Sequence, residues 1–297
     1  MFPVAMIITI SIAIAITLLC VASYFDLKTG EIPDEISLGL LGLSIFFSLL
    51  FSLLNWNFNI VLWSVAYGIF FFLFGYLSFY FGELGGGDVK LLAGIGSALG
   101  FLERLNLFNT MLPVAIDFLI NLGLVTIPYS ICYALFLTIR KPMVIERFFD
   151  EIKRLENLFM IFLSGAISIF LAAIGFPIFL FFFPFLVILT IFFKTLETHV
   201  LEKEVSIEQL REGDLLAEDV IIDNKTIIAM KDARLGLEIE QIEMLKKLKQ
   251  EGKLEKIKIK EGMKFAPALG LAFILTVYFD ETLITYLLKI IFPSISL

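Results

Sequence analysis

Two short polar connections between long apolar runs contain the residues of this chain that are best suited to chemistry. The first connection begins at Asp26, directly after the apolar run 4–25, and the second covers residues 82–90 and contains Asp88. If the apolar runs cross a membrane as alternating helices, Asp26 ends one helix and Asp88 begins another at the same depth. We therefore expect the two carboxyl groups to lie close together.

A pair of neighbouring carboxyl groups is suited to hydrolysis. Crowding and a low dielectric make the two groups share one proton, so that one is ionised and the other is neutral. The ionised group takes a proton from water while the neutral group donates to a substrate carbonyl, which is the aspartic-protease arrangement. Asp88 is the better candidate for the base, because the free N–H groups and the dipole at a helix N-terminus favour an anion.

Each aspartate taken alone also has a structural explanation. Asp88 could cap the start of its helix, and Asp26 could be an interfacial residue at the end of a span. The pairing of the two residues is what favours catalysis over these structural roles.

Three glycines, Gly85, Gly86 and Gly87, precede Asp88. Backbone without side chains permits positive φ angles and lets a second chain approach closely. We expect a peptide substrate to hydrogen-bond to this strand-like stretch and to reach Asp88 edge-on, with Glu83 in the same substrate-binding connection. A flexible turn before the helix is the alternative explanation.

The two connections are acidic. Their charged residues are Asp26, Lys28, Glu31, Asp34, Glu35, Glu83, Asp88 and Lys90. An acidic rim of this kind would attract a positively charged peptide segment. Ordinary solvated loop residues are the alternative explanation.

The elements that position these residues are helices of membrane length. Hydrophobic residues make up 59% of the 297 positions and charged residues 18%, whereas about a quarter of a soluble domain is charged. A helix that spans a bilayer needs about 20 apolar residues. The candidate spans are 4–25, 36–54, 60–81, 89–102, 111–139, 158–193 and 265–283.

The run 158–193 is long enough for two spans, and Gly175 and Pro177 near its middle indicate a helical hairpin. Residues 194–264 have the composition of a soluble domain, with strand-like segments and one helix-like segment. The predicted fold class is an all-α polytopic membrane protein of about seven or eight transmembrane helices with a small soluble α+β domain inserted before the last helix. The predicted domains are a membrane-embedded catalytic domain, 1–193, the soluble domain, 194–264, and a C-terminal transmembrane anchor, 265–297.

Basic residues indicate the orientation in the membrane. Lys28, Lys90 and the basic residues of 140–157 fall on one side when the crossings alternate, and the positive-inside rule makes that side cytosolic. We expect a multi-pass protein of the cell membrane, in contact with membrane lipid, whose site faces the cytosol. The soluble domain falls on the same side if 158–193 is a hairpin. The net charge of −7, without a basic stripe, argues against a nucleic-acid partner.

Several further residues have structural interpretations. Cys20 and Cys132 lack the spacing of metal ligands and are expected to be small buried hydrophobic residues. Asp117 lies inside an apolar run and is a functional candidate by position, although a packing role is favoured. Asn121 is expected to hydrogen-bond across helices. The segment 140–157 is expected to form an amphipathic helix at the membrane interface.

Together, the two motifs resemble those of the type IV prepilin peptidase family, in particular its archaeal prepilin and preflagellin peptidase branch. The residues that match the family's Gly-x-Gly-Asp signature are Gly85, Gly87 and Asp88. Those that match its Asp-x-(Arg/Lys)-Thr…Ile-Pro-(Asn/Asp) pattern are Asp26, Lys28, Thr29, Ile32, Pro33 and Asp34. The resemblance covers the first five candidate spans.

This resemblance implies that Asp26 and Asp88 are catalytic, that no metal or other cofactor is needed, and that a leader peptide is removed on the cytosolic side. The implied substrates are pilin-like or archaellin precursors with short basic leaders. Bacterial relatives often carry a Cys-x-x-Cys zinc loop and methylate the new N-terminus. This sequence has no such cysteine pair, so we expect peptidase activity without methyltransferase activity.

Two other classes of protein are compatible with the sequence. One is a proton-coupled transporter or channel in which Asp26, Asp88 and Asp117 relay charge, although the paired repeats and broken helices of transporters are not evident. The other is a catalytically silent assembly protein of the same fold. The geometry of the two carboxyl groups discriminates between these classes and a peptidase.

Overall fold

The computed structural model of the protein describes residues 2–82, 84–105, 107–108, 112–199, 201–222, 225–229, 236–260 and 262–279. Most of these residues are helical. The helices are α1 (Phe2–Thr29), α2 (Asp34–Leu54), α3 (Asn59–Tyr80), α4 (Gly86–Glu103), α5 (Val114–Arg140), α6 (Met143–Ile152), α7 (Leu155–Ala173), α8 (Phe182–His199), α9 (Ile239–Gln250) and α10 (Ala266–Phe279). This architecture, with a small sheet region before α10, confirms the predicted fold class.

Within the described residues, six helices are long and apolar enough to cross a membrane: α1, α2, α3, α5, α7 and α8. The chain is therefore a multi-pass membrane protein. The predicted hairpin is confirmed, because α7 and α8 are separate helices and the chain turns at Gly175, whose φ is +103°. α10 is apolar and is described as far as Phe279, so the rest of the predicted final span lies outside the described residues.

One compact unit consists of residues 1–129 and 262–297. Its central helix is α4, in which all residues from Val89 to Leu102 except Lys90 are buried. Helix α3 packs closely along α4, and the Ser64 hydroxyl donates to the carbonyl oxygen of Ser97 at 2.9 Å. Small residues permit such close approach between membrane helices, where dispersion contacts and interhelical hydrogen bonds provide the stabilisation.

Helix α10 belongs to the same unit and packs against α1, with Gly270 facing Leu19 and Ser23. The amide of Asn121 on α5 donates to Thr276 Oγ1 at 3.0 Å, and both residues are buried. This bond confirms the interhelical role predicted for Asn121. α10 is therefore part of the helical bundle that contains α1 and α4.

The second compact unit consists of residues 130–261. It contains α6 to α9 and the strands β1 (Glu202–Ser206), β2 (Leu215–Leu216), β3 (Val220–Ile222), β4 (Lys225–Ile228) and β5 (Lys256–Lys260). β5 lies between β1 and β2 in an antiparallel sheet, and β3 pairs with β4. Glu202 lies opposite Lys260 and Glu204 lies opposite Lys258, which are favourable cross-strand pairs.

This unit has a separate hydrophobic core to which the sheet and α9 both contribute. Its members include Ile207, Leu245 and Ile257. The expected small α+β module is therefore present in the sequence range in which it was predicted. Its predicted limits, 194–264, and the division of the chain into three domains stay predictions. Within the predicted amphipathic segment 140–157, α6 covers only Met143–Ile152, because α5 ends at Arg140 and α7 starts at Leu155. Val144 is the buried residue of α6.

The expectation that both cysteines are buried is wrong. Cys20 and Cys132 are exposed on the surfaces of α1 and α5. The physical reason is the solvent that surrounds a membrane helix. Lipid is as apolar as a protein core, so a hydrophobic side chain in a membrane-spanning run gains nothing by facing inward.

Candidate active site

Asp26 lies near the end of α1 and is only 6% exposed. Its carboxylate oxygen Oδ2 accepts a hydrogen bond from the backbone N–H of Ala266, at 2.9 Å. The N–H of Phe265 also reaches this carboxylate. Ala266 is the first residue of α10, where backbone N–H groups have no partner within the helix. The start of α10 therefore holds the Asp26 carboxylate in place.

The chain turns sharply just after Asp26. Gly30 has a φ of +78°, and its N–H donates to the carbonyl oxygen of Asp26 at 2.9 Å. A glycine in this left-handed conformation is a common helix ending. The turn brings the buried side chain of Ile32 back toward the bundle before α2 begins at Asp34.

Asp88 is the third residue of α4 and is 8% exposed. Its Oδ2 accepts a hydrogen bond from the N–H of Gly85 at 3.1 Å, in the manner of the acidic residue of a capping box. Its other oxygen, Oδ1, is buried and has no hydrogen-bond partner among the described residues. One oxygen of Asp88 thus fixes the side chain, and the other is available for chemistry.

The glycines before Asp88 do not have the positive φ angles that a glycine run permits. Gly85 is extended, with φ −80° and ψ 156°, and Gly86 begins α4. The positive φ in this connection is at Gly82 instead. A Cβ on Gly87 would lie 3.1 Å from Cβ of Ile32, so Gly87 permits the close approach of the two connections. Glu83 lies outside the described residues.

A second contact joins the same two connections. The Lys90 ammonium lies 2.6 Å from Oδ1 of Asp34. Both side chains are partly exposed, so the pair adds little to stability, but it fixes the start of α2 beside the first turn of α4. The described contacts thus bring the ends of α1, α2 and α4 together, as alternating crossings predict.

Electrostatics distinguish Asp88 within this arrangement. Asp88 precedes the apolar part of α4, which starts at Val89. Burial of the carboxyl group and, second, the negative charge of Asp26 raise the pKa of Asp88 to about 7, although the Gly85 N–H acts in the opposite direction. The helix N-terminus favours an ionised Asp88, but burial outweighs it. Asp88 therefore carries a proton below about pH 7.

Three contributors to this site were not found from the sequence. They are Lys264, the backbone N–H of Ala266, and Tyr129, whose hydroxyl donates to the carbonyl oxygen of Lys264. Asp26 and Ala266 are 240 positions apart. A backbone N–H carries no signature in the sequence, and composition alone places Lys264 in the soluble domain.

Asp117 occupies a different place. It is 2% exposed and lies in the first turn of α5. Fifteen residues of α4 follow Asp88 and lead away from it over about 22 Å before the chain reaches α5. The structure therefore leaves Asp117 toward the other end of the bundle from Asp88, whereas Asp26 is close enough to Asp88 for their charges to interact. Among the described residues, no group of three or more His, Cys, Asp or Glu side chains is arranged to hold a metal ion.

Fold and site define a multi-pass membrane protein with two buried carboxyl groups on neighbouring helices. The family model of the type IV leader peptidase family matches residues 13–193, which is more than half of the chain. The chain belongs to the type IV leader peptidase family and is a peptidase whose substrates are, in general, of the prepilin type. Comparison with curated proteins and with solved structures gave no match. The match ends within α8, before the sheet and α10.

Proposed function

We propose that this protein is an aspartic endopeptidase that removes the short basic leader from pilin-like or archaellin precursors. The observation that carries the proposal is the pairing of two buried carboxyl groups, Asp26 from α1 and Asp88 from α4. Each group is held by a backbone N–H. The free buried oxygen of Asp88 and the electrostatic coupling of the pair fit a site that shares one proton.

The chemistry follows from the protonation of the pair. Asp26 is the base and takes a proton from a water molecule as the water oxygen attacks the scissile carbonyl carbon. Asp88 is the acid and donates its proton to the carbonyl oxygen, which gives a neutral tetrahedral diol. Asp26 then passes its proton to the amide nitrogen, Asp88 recovers a proton from a diol hydroxyl, and the C–N bond breaks. In this mechanism Asp26 is the base, whereas the helix dipole alone favours Asp88 as the base.

The surface around the pair supports a basic leader as substrate. Glu31 and Glu35 are exposed beside the turn that follows Asp26, and Asp34 is exposed although it pairs with Lys90. These acidic groups favour the approach of a positively charged segment. The hydrophobic helix that follows such a leader is suited to lie in the lipid beside α1, which has exposed apolar side chains.

The proposed location is the cell membrane, with the pair facing the cytosol. The lysines and arginines of α6 and its flanks and the lysines near both aspartates support this orientation through the positive-inside rule. Leaders of this kind would be cleaved before the rest of the precursor leaves the cytosolic face.

Cleavage by the purified protein in detergent tests the proposal. We expect a precursor with a basic leader to lose its leader in the presence of EDTA and of a thiol-alkylating agent, because both proposed reacting groups are carboxyl groups. Mass spectrometry of the protein checks that Cys20 and Cys132 were alkylated. Mass spectrometry of the product should show an unmethylated N-terminus. Loss of cleavage with either reagent contradicts the mechanism.

A second prediction concerns the soluble module. Replacing residues 205–258 with a flexible Gly/Ser linker should leave measurable cleavage of at least one precursor, because Asp26, Asp88 and the start of α10 all lie outside the replaced segment. The measurement is leader removal by membranes that contain equal amounts of the inserted variant and wild-type protein. A well-inserted replacement that cleaves none of the normal precursors would show that the module takes part in catalysis.

A further inference from the structure

The helix that contacts Asp26 lies outside the part of the chain that matches the family. The family match ends at residue 193, whereas α10 starts at Ala266. The first N–H of α10 nevertheless donates to the Asp26 carboxylate in a buried contact. A segment beyond the matched region is therefore in direct contact with a proposed catalytic group.

Lys264 brings a positive charge to the same place. Its ammonium group is close enough to interact electrostatically with the Asp26 carboxylate. It lies against Gly30, and a Cβ at Gly30 would overlap its Nζ atom. Gly30 is the turn residue whose N–H bonds to the Asp26 carbonyl. The absence of a side chain at Gly30 thus makes room for the lysine beside the end of α1.

The entry to α10 is fixed from several directions. The Tyr129 hydroxyl on α5 donates to the Lys264 carbonyl, and Asn121 on the same helix bonds to Thr276 further along α10. Ala266, Ala268, Leu269 and Gly270 are buried, which holds α10 close to its neighbours. These contacts give the Ala266 N–H and Lys264 defined positions relative to Asp26.

Two other lysines among the described residues at this end of the bundle make different contacts. Lys28 is directed to Tyr24, with its Nζ 3.2 Å from the phenolic oxygen, and Lys90 is paired with Asp34. The acidic groups between α1 and α2, on α2 and on α4 would oppose ionisation of Asp26 through like charge. Those acidic groups are Glu31, Asp34, Glu35 and Asp88.

We propose that the entry to α10 is the positioning element for the base of the peptidase site: the Ala266 N–H orients the Asp26 carboxylate, and the positive charge of the Lys264 ammonium favours the ionised form of this buried group. Lys264 is a positioning residue and does not touch the substrate. The inference rests on the proposed aspartic peptidase function and deepens it. It makes residues 262–279 an integral part of the site as well as a membrane anchor.

The pH profile of cleavage tests this inference. In Lys264→Met, the acid limb of kcat should move to higher pH, because a positive charge that favours ionised Asp26 is lost, and kcat should fall at pH values below the limb. Lys264→Arg keeps the charge and should keep the wild-type limb. Gly30→Ala, whose new Cβ would displace the ammonium, should move the limb in the same direction as Lys264→Met.

Lys246→Met is the matched control, because it removes an exposed lysine on α9 in the other compact unit and should leave the profile unchanged. A wild-type enzyme that cleaves, together with an inactive Asp26→Asn, establishes the proposed function independently of Lys264. If Lys264→Met then keeps the wild-type acid limb and kcat, the inference alone is overturned. A wild-type protein that cleaves no precursor overturns both.

Discussion

Replacing Asp26 or Asp88 with asparagine is expected to abolish leader removal in a gel-shift assay, with a rate loss of at least about a hundredfold. Asparagine has nearly the same shape, and its side-chain oxygen can still accept from the Ala266 N–H or the Gly85 N–H. It can neither take a proton from water nor hold the shared proton. The loss is therefore chemical and should occur in properly inserted protein.

Asp117→Asn is the matched control, since it changes a buried carboxyl group toward the other end of the bundle, and it should retain most of the activity. The wild-type rate should also fall as pH rises through about 7, because the raised pKa of Asp88 means that it loses its proton there. Full activity in either dyad variant, or a rate that keeps rising well above pH 7, would contradict the shared-proton site.

The largest expected effect on stability is at two glycines of α4. A Cβ at Gly96 would lie 2.6 Å from the carbonyl oxygen of Tyr67, and one at Gly100 would lie 2.5 Å from that of Trp63. A backbone oxygen on α3 cannot move without moving the helix. Gly96→Ala and Gly100→Ala should therefore force α3 and α4 apart and lower the free energy of unfolding by about 2 kcal/mol or more.

Thermal unfolding in detergent and resistance to a protease measure this loss. Gly123→Ala on α5 is the control, because a Cβ there meets nothing within 4 Å, and alanine is about 1 kcal/mol more favourable than glycine inside a helix. We expect Gly123→Ala to be neutral or stabilising. If both α4 variants melt at the wild-type temperature, the close contact between α3 and α4 is not what holds α4 in place.

Local sequence patterns were enough to predict the helices and the two aspartates at their ends. An uninterrupted apolar run is enough to predict a membrane helix. The predicted span 36–54 corresponds to α2, Asp34–Leu54, and the predicted span 60–81 corresponds to α3, Asn59–Tyr80. Gly175 and Pro177 interrupt the apolar run 158–193, and this local interruption predicts the hairpin. Alternation of the crossings then placed Asp26 and Asp88 at one end of the bundle without knowledge of their contacts.

The groups that surround the two carboxylates could be identified only from the folded chain. The contact of Asp26 with Ala266 joins positions 240 residues apart, and hydrophobic periodicity does not encode a partner at that separation. The protonation of Asp88 likewise depends on its burial and on Asp26, whereas its position in the sequence reveals only the helix N-terminus. The prediction that Cys20 is buried was wrong because, in a membrane, an apolar side chain is equally stable facing lipid or facing protein. An apolar run therefore indicates which segment crosses the bilayer. Side-chain packing determines which residues of that segment contact the rest of the protein.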